Sequence, residues 1–145
     1  MARGVHAALD GEGARLFGGR WNSPGTPVVY TAGSRALAIL ERLVPTDPED
    51  LPDDLVLFQI EIPDSSSRES VSVATLALDW QRPRHAQCRS VGDEWAASGR
   101  SLVLTVPSSV VPEETNYLIN PRHPEATAVR VTEERPFSFD LRLLR

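Results

Sequence analysis

The spacing of apolar residues between positions 34 and 44 predicts the clearest helix in the chain. In this segment, SRALAILERLV, the side chains of Leu37, Leu40 and Val44 recur on one face at helical intervals. Ser34 stands where an N-cap is needed, and a proline follows the segment and ends it. We therefore expect an amphipathic helix that packs one face against a core.

The charged residues of the same helix fall at different angles from its apolar face. Arg35 and Arg42 mark the opposite stripe, which we expect to be solvated, whereas Glu41 lies on the flank of the apolar face. A carboxylate in that position loses part of its hydration unless it is paired. Pairing with Arg20 or Arg42 is the structural explanation and a catalytic role is the functional one, and both stay open on the residues alone.

Alternation of apolar and polar residues elsewhere predicts short strands. Runs such as PVVYT and LVLFQIEI are rich in β-branched and aromatic residues, which favour extended backbone. A second short helix is expected at residues 90–97, just ahead of Gly99. Stretches rich in glycine and proline, acidic residues or serine predict loops at 10–27, 45–54 and 64–70. The expected strands are residues 27–31, 55–62, 71–75, 101–106, 129–131 and 137–143.

The order of these elements indicates the fold class. Strands outnumber helices and do not alternate with them. This favours an α+β fold, with a mainly antiparallel sheet and a few short helices, over a doubly wound α/β fold. The length of 145 residues fits a single domain.

Composition limits the classes of protein to consider. The chain is 41% hydrophobic and 24% charged, as globular proteins are, and its single cysteine, Cys88, excludes an internal disulfide. No apolar run is long enough to span a bilayer, and the N-terminus lacks the pattern of a signal peptide, so we expect a cytoplasmic protein. The net charge of -5 argues against direct nucleic-acid binding. All 15 basic residues are arginine, so an anionic ligand would be bound by arginine.

Three common site motifs are incomplete in this chain. The segment GEGARL begins like a dinucleotide-binding fingerprint, but Leu16 stands where the third glycine is required. The histidines are too scattered to form a zinc site. Ser108 lacks the flanking glycines of a nucleophile elbow, which disfavours a serine hydrolase built with His123.

The remaining candidate residues occur at four places along the chain. In the segment GGRWN, residues 18–22, two glycines let a ligand approach the backbone and an arginine follows, although a surface turn explains the same residues. Tyr30 and Ser108 each end a predicted strand, where packing or a capping hydrogen bond is the alternative to a role in a site. Asn116 and Asn120 lie where asparagine commonly stabilises a loop.

Taken together, these segments resemble the RES domain in order and over nearly the whole chain. The matching pieces are residues 11–44, followed by GDEW, SLVLTVPS, NYLINPRHP and FDLRL. The resemblance implies one domain over residues 1–145 with an ADP-ribosyltransferase-like fold. It implies a bacterial toxin that depletes NAD+ by breaking the nicotinamide–ribose bond, through hydrolysis or phosphorolysis. NAD+ is then the substrate, with no further cofactor and no metal.

The resemblance also assigns partners and residues. The expected protein partner is an Xre-like helix-turn-helix antitoxin, and a homodimer within a larger complex is compatible with the family. By motif position, Arg20 would hold the pyrophosphate of NAD+ and Tyr30 would stack on the nicotinamide or ribose. Glu41 would stabilise the ribose cation, and Ser108 would orient the ribose or the acceptor. The expected substrate-binding residues are Arg20, Trp21, Asn22, Tyr30 and Asn120.

One part of the family pattern is different here. Members of the family carry an extra N-terminal strand with an aromatic–arginine pair before the segment that matches GEGARL. Only ten residues precede Gly11, so we expect this strand to be shortened, with Arg3 as the candidate arginine.

Two other functions stay open at this point. The ADP-ribose group could be transferred to a protein instead of to water or phosphate. Alternatively, the chain could be a non-catalytic interaction module derived from a RES domain. The joint presence of Arg20, Tyr30, Glu41 and Ser108 speaks against the second alternative.

Overall fold

The computed structural model describes residues 2–3 and 9–144, in which three α-helices and seven strands occur. The helices are α1 (Glu12–Phe17), α2 (Arg35–Leu43) and α3 (Ala86–Ser98). The strands are β1 (Ala2–Arg3), β2 (Val29–Ala32), β3 (Leu55–Glu61), β4 (Arg68–Ser70), β5 (Val103–Pro107), β6 (Thr115–Ile119) and β7 (Arg130–Phe137).

The strands form two sheets. One has the order β2-β6-β5-β4 and the other the order β1-β3-β7. Among the described strands every pairing is antiparallel except that of β4 with β5. The predicted α+β class with a mainly antiparallel sheet is confirmed.

The two-residue strand β1 pairs with β3. The side chain of Arg3, the candidate arginine of that strand, lies outside the described part of the structure. No helix in residues 2–3 and 9–144 is long and apolar enough to cross a membrane.

Helix α2 forms where the sequence predicts it. The hydroxyl of Ser34 accepts a hydrogen bond of 3.1 Å from the backbone N–H of Leu37, as an N-cap should. Leu37 is fully buried and Leu40 is half-buried, so this part of the predicted face packs against the core. The prediction was wrong for Val44, which lies at the C-cap and is 64% exposed. At the other end, the hydroxyl of Thr46 donates to the carbonyl of Arg42. Both ends of the helix that carries Glu41 are therefore fixed.

Three regular elements lie where no helix or strand was predicted. Helix α1 occupies part of the glycine-rich segment, and its first N–H, that of Glu12, donates to Asp10 Oδ1 at 2.9 Å. Strand β4 lies in the polar stretch 64–70, because it pairs with β5 through its backbone. Strand β6 lies between β2 and β5 and buries Leu118 and Ile119. Tertiary pairing overrides weak local preference in both strands.

Three of the predicted strands were wrong in position or type. The segment predicted at 71–75 forms a 3₁₀ turn, Val73–Thr75, capped by the Ser72 hydroxyl. The two C-terminal predictions are replaced by the single strand β7 and by a 3₁₀ turn at Leu141–Leu144. The alternation of phenylalanine with polar residues predicted a strand over 137–143, but the strand ends at Phe137. Phe137 and Phe139 instead pack edge to face, with ring centroids 5.3 Å apart.

The core packs α3 against the four-stranded sheet and against the loop between α1 and β2. All three tryptophans are buried, and Trp21 is the one contributed by that loop. A Cβ atom placed on Gly92 would lie 1.6 Å from the carbonyl oxygen of Trp21. The absence of a side chain at Gly92 is therefore what lets helix and loop touch.

We expect the change Gly92→Ala to destabilise the protein strongly, because the backbone of Trp21 cannot yield to a methyl group. Overpacking in a core typically costs about 1–3 kcal/mol, and a contact this short belongs at or above the upper end. Denaturant unfolding measures the free energy. Gly13→Ala is the matched control, since nothing lies within 4 Å of a Cβ there. Equal stability of the two variants would contradict the packing described.

Candidate active site

The carboxylate of Glu41 is held by two side chains from the four-stranded sheet. Ser108 Oγ donates to Glu41 Oε1 at 2.6 Å, and Asn116 Nδ2 donates to the same oxygen at 2.8 Å. Glu41 Oε2 has no hydrogen-bond partner among the described residues. One oxygen thus fixes the carboxylate and the other is left to act on a ligand.

Ser108 is a positioning residue in this geometry. It is 0% exposed, and its Oγ accepts hydrogen bonds from the backbone N–H groups of Val110 and Val111 at 3.1 and 3.0 Å. The hydroxyl proton is therefore directed at Glu41. A serine with this set of partners orients a carboxylate, because its own lone pairs are already occupied.

Asn116 completes the support of Glu41; it was a candidate in the sequence but was not among the expected site residues. It lies on β6 opposite Val106 of β5 and Ala32 of β2. Its Oδ1 is buried without a hydrogen-bond partner among the described residues. The signal in the sequence was weak because Asn116 stands in a strand that was itself not predicted.

The ring of Tyr30 is partly exposed to solvent, whereas its hydroxyl is enclosed by the protein. The residue is 36% exposed, yet the hydroxyl donates to Asn22 Oδ1 at 2.6 Å and accepts from the N–H of Trp21 at 3.0 Å. Enclosure of the hydroxyl raises the pKa of Tyr30 far above its ordinary value. A Cβ on Gly19 would lie 2.6 Å from this hydroxyl, so the ring rests directly on the glycine.

The guanidinium of Arg20 forms hydrogen bonds with backbone carbonyl groups. Its Nη1 donates to the carbonyls of Trp80 and Arg82 at 2.8 and 3.0 Å, and its Nη2 donates to the carbonyl of Gln81 at 3.1 Å. The side chain thereby joins the loop after α1 to residues 80–82, ahead of α3. Its predicted contact with a pyrophosphate stays a prediction, and these hydrogen bonds do not favour it.

Three predicted substrate-binding residues lie behind the site. Trp21, Asn22 and Asn120 are all buried and are not among the residues that line the cleft described below. Asn22 Nδ2 donates to three loop carbonyls, and Asn120 Nδ2 donates to the carbonyl of Ala96 on α3. In this structure they support the loop and the sheet from within, without facing a ligand.

A cleft of about 1310 Å³ brings together Arg20, Tyr30 and Glu41. Ser108 does not line it and acts on it through Glu41. The prediction that Arg42 is solvated was wrong, since Arg42 is half-buried and lines the same cleft. Arg35 is exposed, as expected, at the edge of this cleft.

The segment GDEW supports the cleft from α3. Asp93 accepts two hydrogen bonds from Ser23: the backbone N–H donates to Oδ1 at 2.7 Å and Oγ donates to Oδ2 at 2.6 Å. Trp95 Nε1 donates to Ser101 Oγ at 2.9 Å. The contacts of Asp93 and the close approach at Gly92 fix the loop that carries Gly19 and Arg20, while Trp95 ties α3 to the segment before β5. The sequence contained the motif but did not show this role.

The chemistry of the cleft follows from its charges. A fixed, half-buried carboxylate with a free oxygen can accept a hydrogen bond from a ligand hydroxyl and can stabilise a nearby positive charge. Within the described part of the chain, no group of three histidine, cysteine, aspartate or glutamate side chains could hold a metal ion.

Comparisons with known proteins agree with one another. The family model "RES domain" matches residues 1–140. A "Prs ADP-ribosylating toxin" of Sphingobium sp. (strain YBL2) is 43% identical over 94% of this chain and 87% of its own length. A "Toxin Res" of Photorhabdus laumondii is 38% identical over 97% of this chain and 91% of its own length. A "Toxin Res" of Pseudomonas putida is 39% identical over 96% of this chain and 94% of its own length.

The fold has a solved counterpart. The crystal structure of the M. tuberculosis MbcT–MbcA toxin–antitoxin complex contains a chain that superimposes with a TM-score of 0.75. The match covers 94% of this chain and 81% of the other, at 21% sequence identity. At that identity the likeness establishes the fold.

The buried hydroxyl of Tyr30 gives a spectroscopic prediction. In a Tyr117→Phe variant Tyr30 is the single tyrosine, since the chain has 2. We expect no phenolate absorbance from the folded variant at about pH 11, one unit above the ordinary tyrosine pKa of about 10. Because the folded pKa exceeds the unfolded one, stability from neutral Tyr30 is complete below about pH 10 and is lost as the pH rises beyond it.

Ultraviolet absorbance and circular dichroism, recorded on the same sample, check this prediction. Adding denaturant at the same pH should release the full phenolate signal. Ionisation of Tyr30 at its ordinary pH in a protein that is still folded would contradict the enclosure of its hydroxyl.

Proposed function

This chain belongs to the RES-domain family, and we propose that it is a toxin that cleaves the nicotinamide–ribose bond of NAD+. The observation that carries the proposal is the Glu41 carboxylate, fixed by Ser108 and Asn116 with one oxygen free at the cleft. The names of the relatives, all of them toxins and one of them ADP-ribosylating, support the proposal.

The reaction needs little acid catalysis and much electrostatic stabilisation. When the carbon–nitrogen bond breaks, its electron pair goes to the pyridinium nitrogen, and nicotinamide leaves as a neutral molecule. The ribose carbon acquires positive charge, as in glycoside hydrolysis. A preorganised carboxylate beside that carbon lowers the barrier, because it needs no reorientation as the charge develops. Glu41 is suited to this task, and its free oxygen can accept a hydrogen bond from a ribose hydroxyl.

The other cleft residues have supporting tasks in this proposal. The accessible ring of Tyr30 offers a flat surface against which the nicotinamide or ribose can stack. Arg20 holds residues 80–82 and so keeps the loop under Tyr30 in place. NAD+ is the substrate, and the proposal includes no further cofactor.

The acceptor of the ADP-ribose group separates two forms of the function. Attack by water or phosphate on the ribose carbon depletes NAD+, and this is the form we propose first. Transfer to a protein side chain is the second candidate, and it is favoured by the relative named Prs ADP-ribosylating toxin at 43% identity. The same cation precedes both outcomes, so Glu41 serves either.

We further propose that an antitoxin binds this chain in the cytoplasm. The solved counterpart was crystallised as a toxin–antitoxin complex, which supports a partner of that kind. The resemblance to the family points to an Xre-like helix-turn-helix protein. A purely non-catalytic role is disfavoured by the complete support of Glu41, since a binding module has no need of an oriented, half-desolvated carboxylate.

We expect Glu41→Gln to lower the rate of nicotinamide release by about 10²–10³, the usual effect of losing one preorganised electrostatic group. Release from purified protein is followed by chromatography. Glu113→Gln is the matched control, because Glu113 is exposed and does not line the cleft. Nearly unchanged release by the Glu41 variant, with its fold intact, would remove Glu41 from the mechanism.

Incubation with NAD+ labelled in the adenylate half distinguishes the two acceptors. We expect the label to appear as free ADP-ribose or its phosphorylated form, because the cleft is large and open to small acceptors. A cell lysate added to the reaction supplies protein acceptors. Label recovered chiefly on protein would favour the transferase, and label left in intact NAD+ would count against both forms.

A further inference from the structure

Arg42 is a guanidinium without a partner at the wall of the cleft. Its Nε is buried and has no hydrogen-bond partner among the described residues. The side chain forms no ion pair within that part of the chain. The residue is half-buried and lines the cleft beside Glu41.

A half-buried guanidinium without a hydrogen-bond or ion-pair partner is unfavourable for the protein when no ligand is bound. A buried donor that makes no hydrogen bond destabilises the folded protein, and it does so more when the group is charged. The position of Arg42 in the last turn of α2 offsets part of this cost, since a helix C-terminus favours positive charge. The geometry therefore indicates a site that is completed by an anion.

The other cleft-lining arginines are already engaged. Arg20 donates to three backbone carbonyls. Arg35 donates to Gln59 Oε1 at 2.6 Å and lies 3.8 Å from Glu133, and Arg68 donates to the carbonyl of Pro63 at 3.4 Å. Arg42 is the remaining guanidinium of the described cleft. Arg89 also has a buried, unpartnered Nε, but it does not line the cleft.

We propose that Arg42 binds the diphosphate of the substrate, a task that the family pattern would give to Arg20. This inference rests on the proposed function, since it names the group that holds the rest of NAD+ while Glu41 acts on the ribose. Glu41 and Arg42 are adjacent on α2 and both line the cleft, although side chains that are adjacent in a helix point about 100° apart. The ribose carries its phosphate one carbon beyond the ring. A ribose placed at Glu41 can therefore extend its phosphate along the cleft toward Arg42.

Guanidinium geometry suits this ligand. Arginine can give two parallel hydrogen bonds to a phosphate, whereas lysine offers a single point charge. We therefore expect Arg42→Gln to weaken binding of phosphate-bearing ligands by about ten- to a hundredfold, and Arg42→Lys to restore part of the loss.

Titration calorimetry with ADP-ribose, inorganic pyrophosphate and nicotinamide riboside tests the inference. We expect Arg42→Gln to bind the first two more weakly than wild type and to bind nicotinamide riboside, which lacks the diphosphate, equally well. Arg35→Gln is the matched control, because Arg35 lies on the same helix and cleft but already has partners. Its affinities should stay near those of wild type.

Two results would overturn the inference. One is an unchanged affinity of Arg42→Gln for ADP-ribose, and the other is equal weakening by Arg35→Gln, which would indicate a general charge effect. Absence of ADP-ribose binding by wild type would overturn it as well. Nicotinamide release by wild type is measured separately and tests the proposed function. A wrong assignment of Arg42 can therefore be distinguished from a wrong assignment of the reaction.

Discussion

The hydrogen bonds from Ser108 and Asn116 to one oxygen of Glu41 are the interaction on which the site depends. They tie the end of α2 to the end of β5 and to the start of β6, three elements that are distant in sequence. A carboxylate that is half-buried and fixed in this way keeps its charge directed at the cleft. If either donor were lost, the carboxylate would be free to rotate toward water, and its electrostatic effect on a ligand would fall.

A second set of contacts holds the opposite wall of the cleft. Gly92 lets α3 reach the backbone of the loop at Trp21, Asp93 binds Ser23, and Arg20 joins the same loop to residues 80–82. Tyr30 rests on this loop through Gly19. In this structure the guanidinium of Arg20 hydrogen-bonds to backbone carbonyls, whereas Arg42 lines the same cleft with no partner among the described residues. The two walls are thus fixed independently, one by the carboxylate network and one by the loop.

The sequence was informative where local chemistry decides structure. The N-cap at Ser34 and the burial of Leu37 on α2 were predicted because both depend on residues within one helix. Strands β4 and β6 were missed because their pairing partners, not their own residues, make them strands. The same reason hid Asn116 as a support of Glu41. Arg42 was placed on a solvated stripe because helical angles alone do not show that Arg42 lines a cleft together with Leu57 and Gln59 of β3.

The most direct test is a crystal structure of the Glu41→Gln variant soaked briefly with NAD+, which this variant should bind but consume about 10²–10³ times more slowly than wild type. We expect a hydroxyl of the nicotinamide ribose to lie within hydrogen-bond distance of the side chain at position 41. We also expect the diphosphate to lie against Arg42 and the ring of Tyr30 against the ribose or nicotinamide. NAD+ bound outside this cleft, or bound with its ribose turned away from position 41, would contradict the central claim.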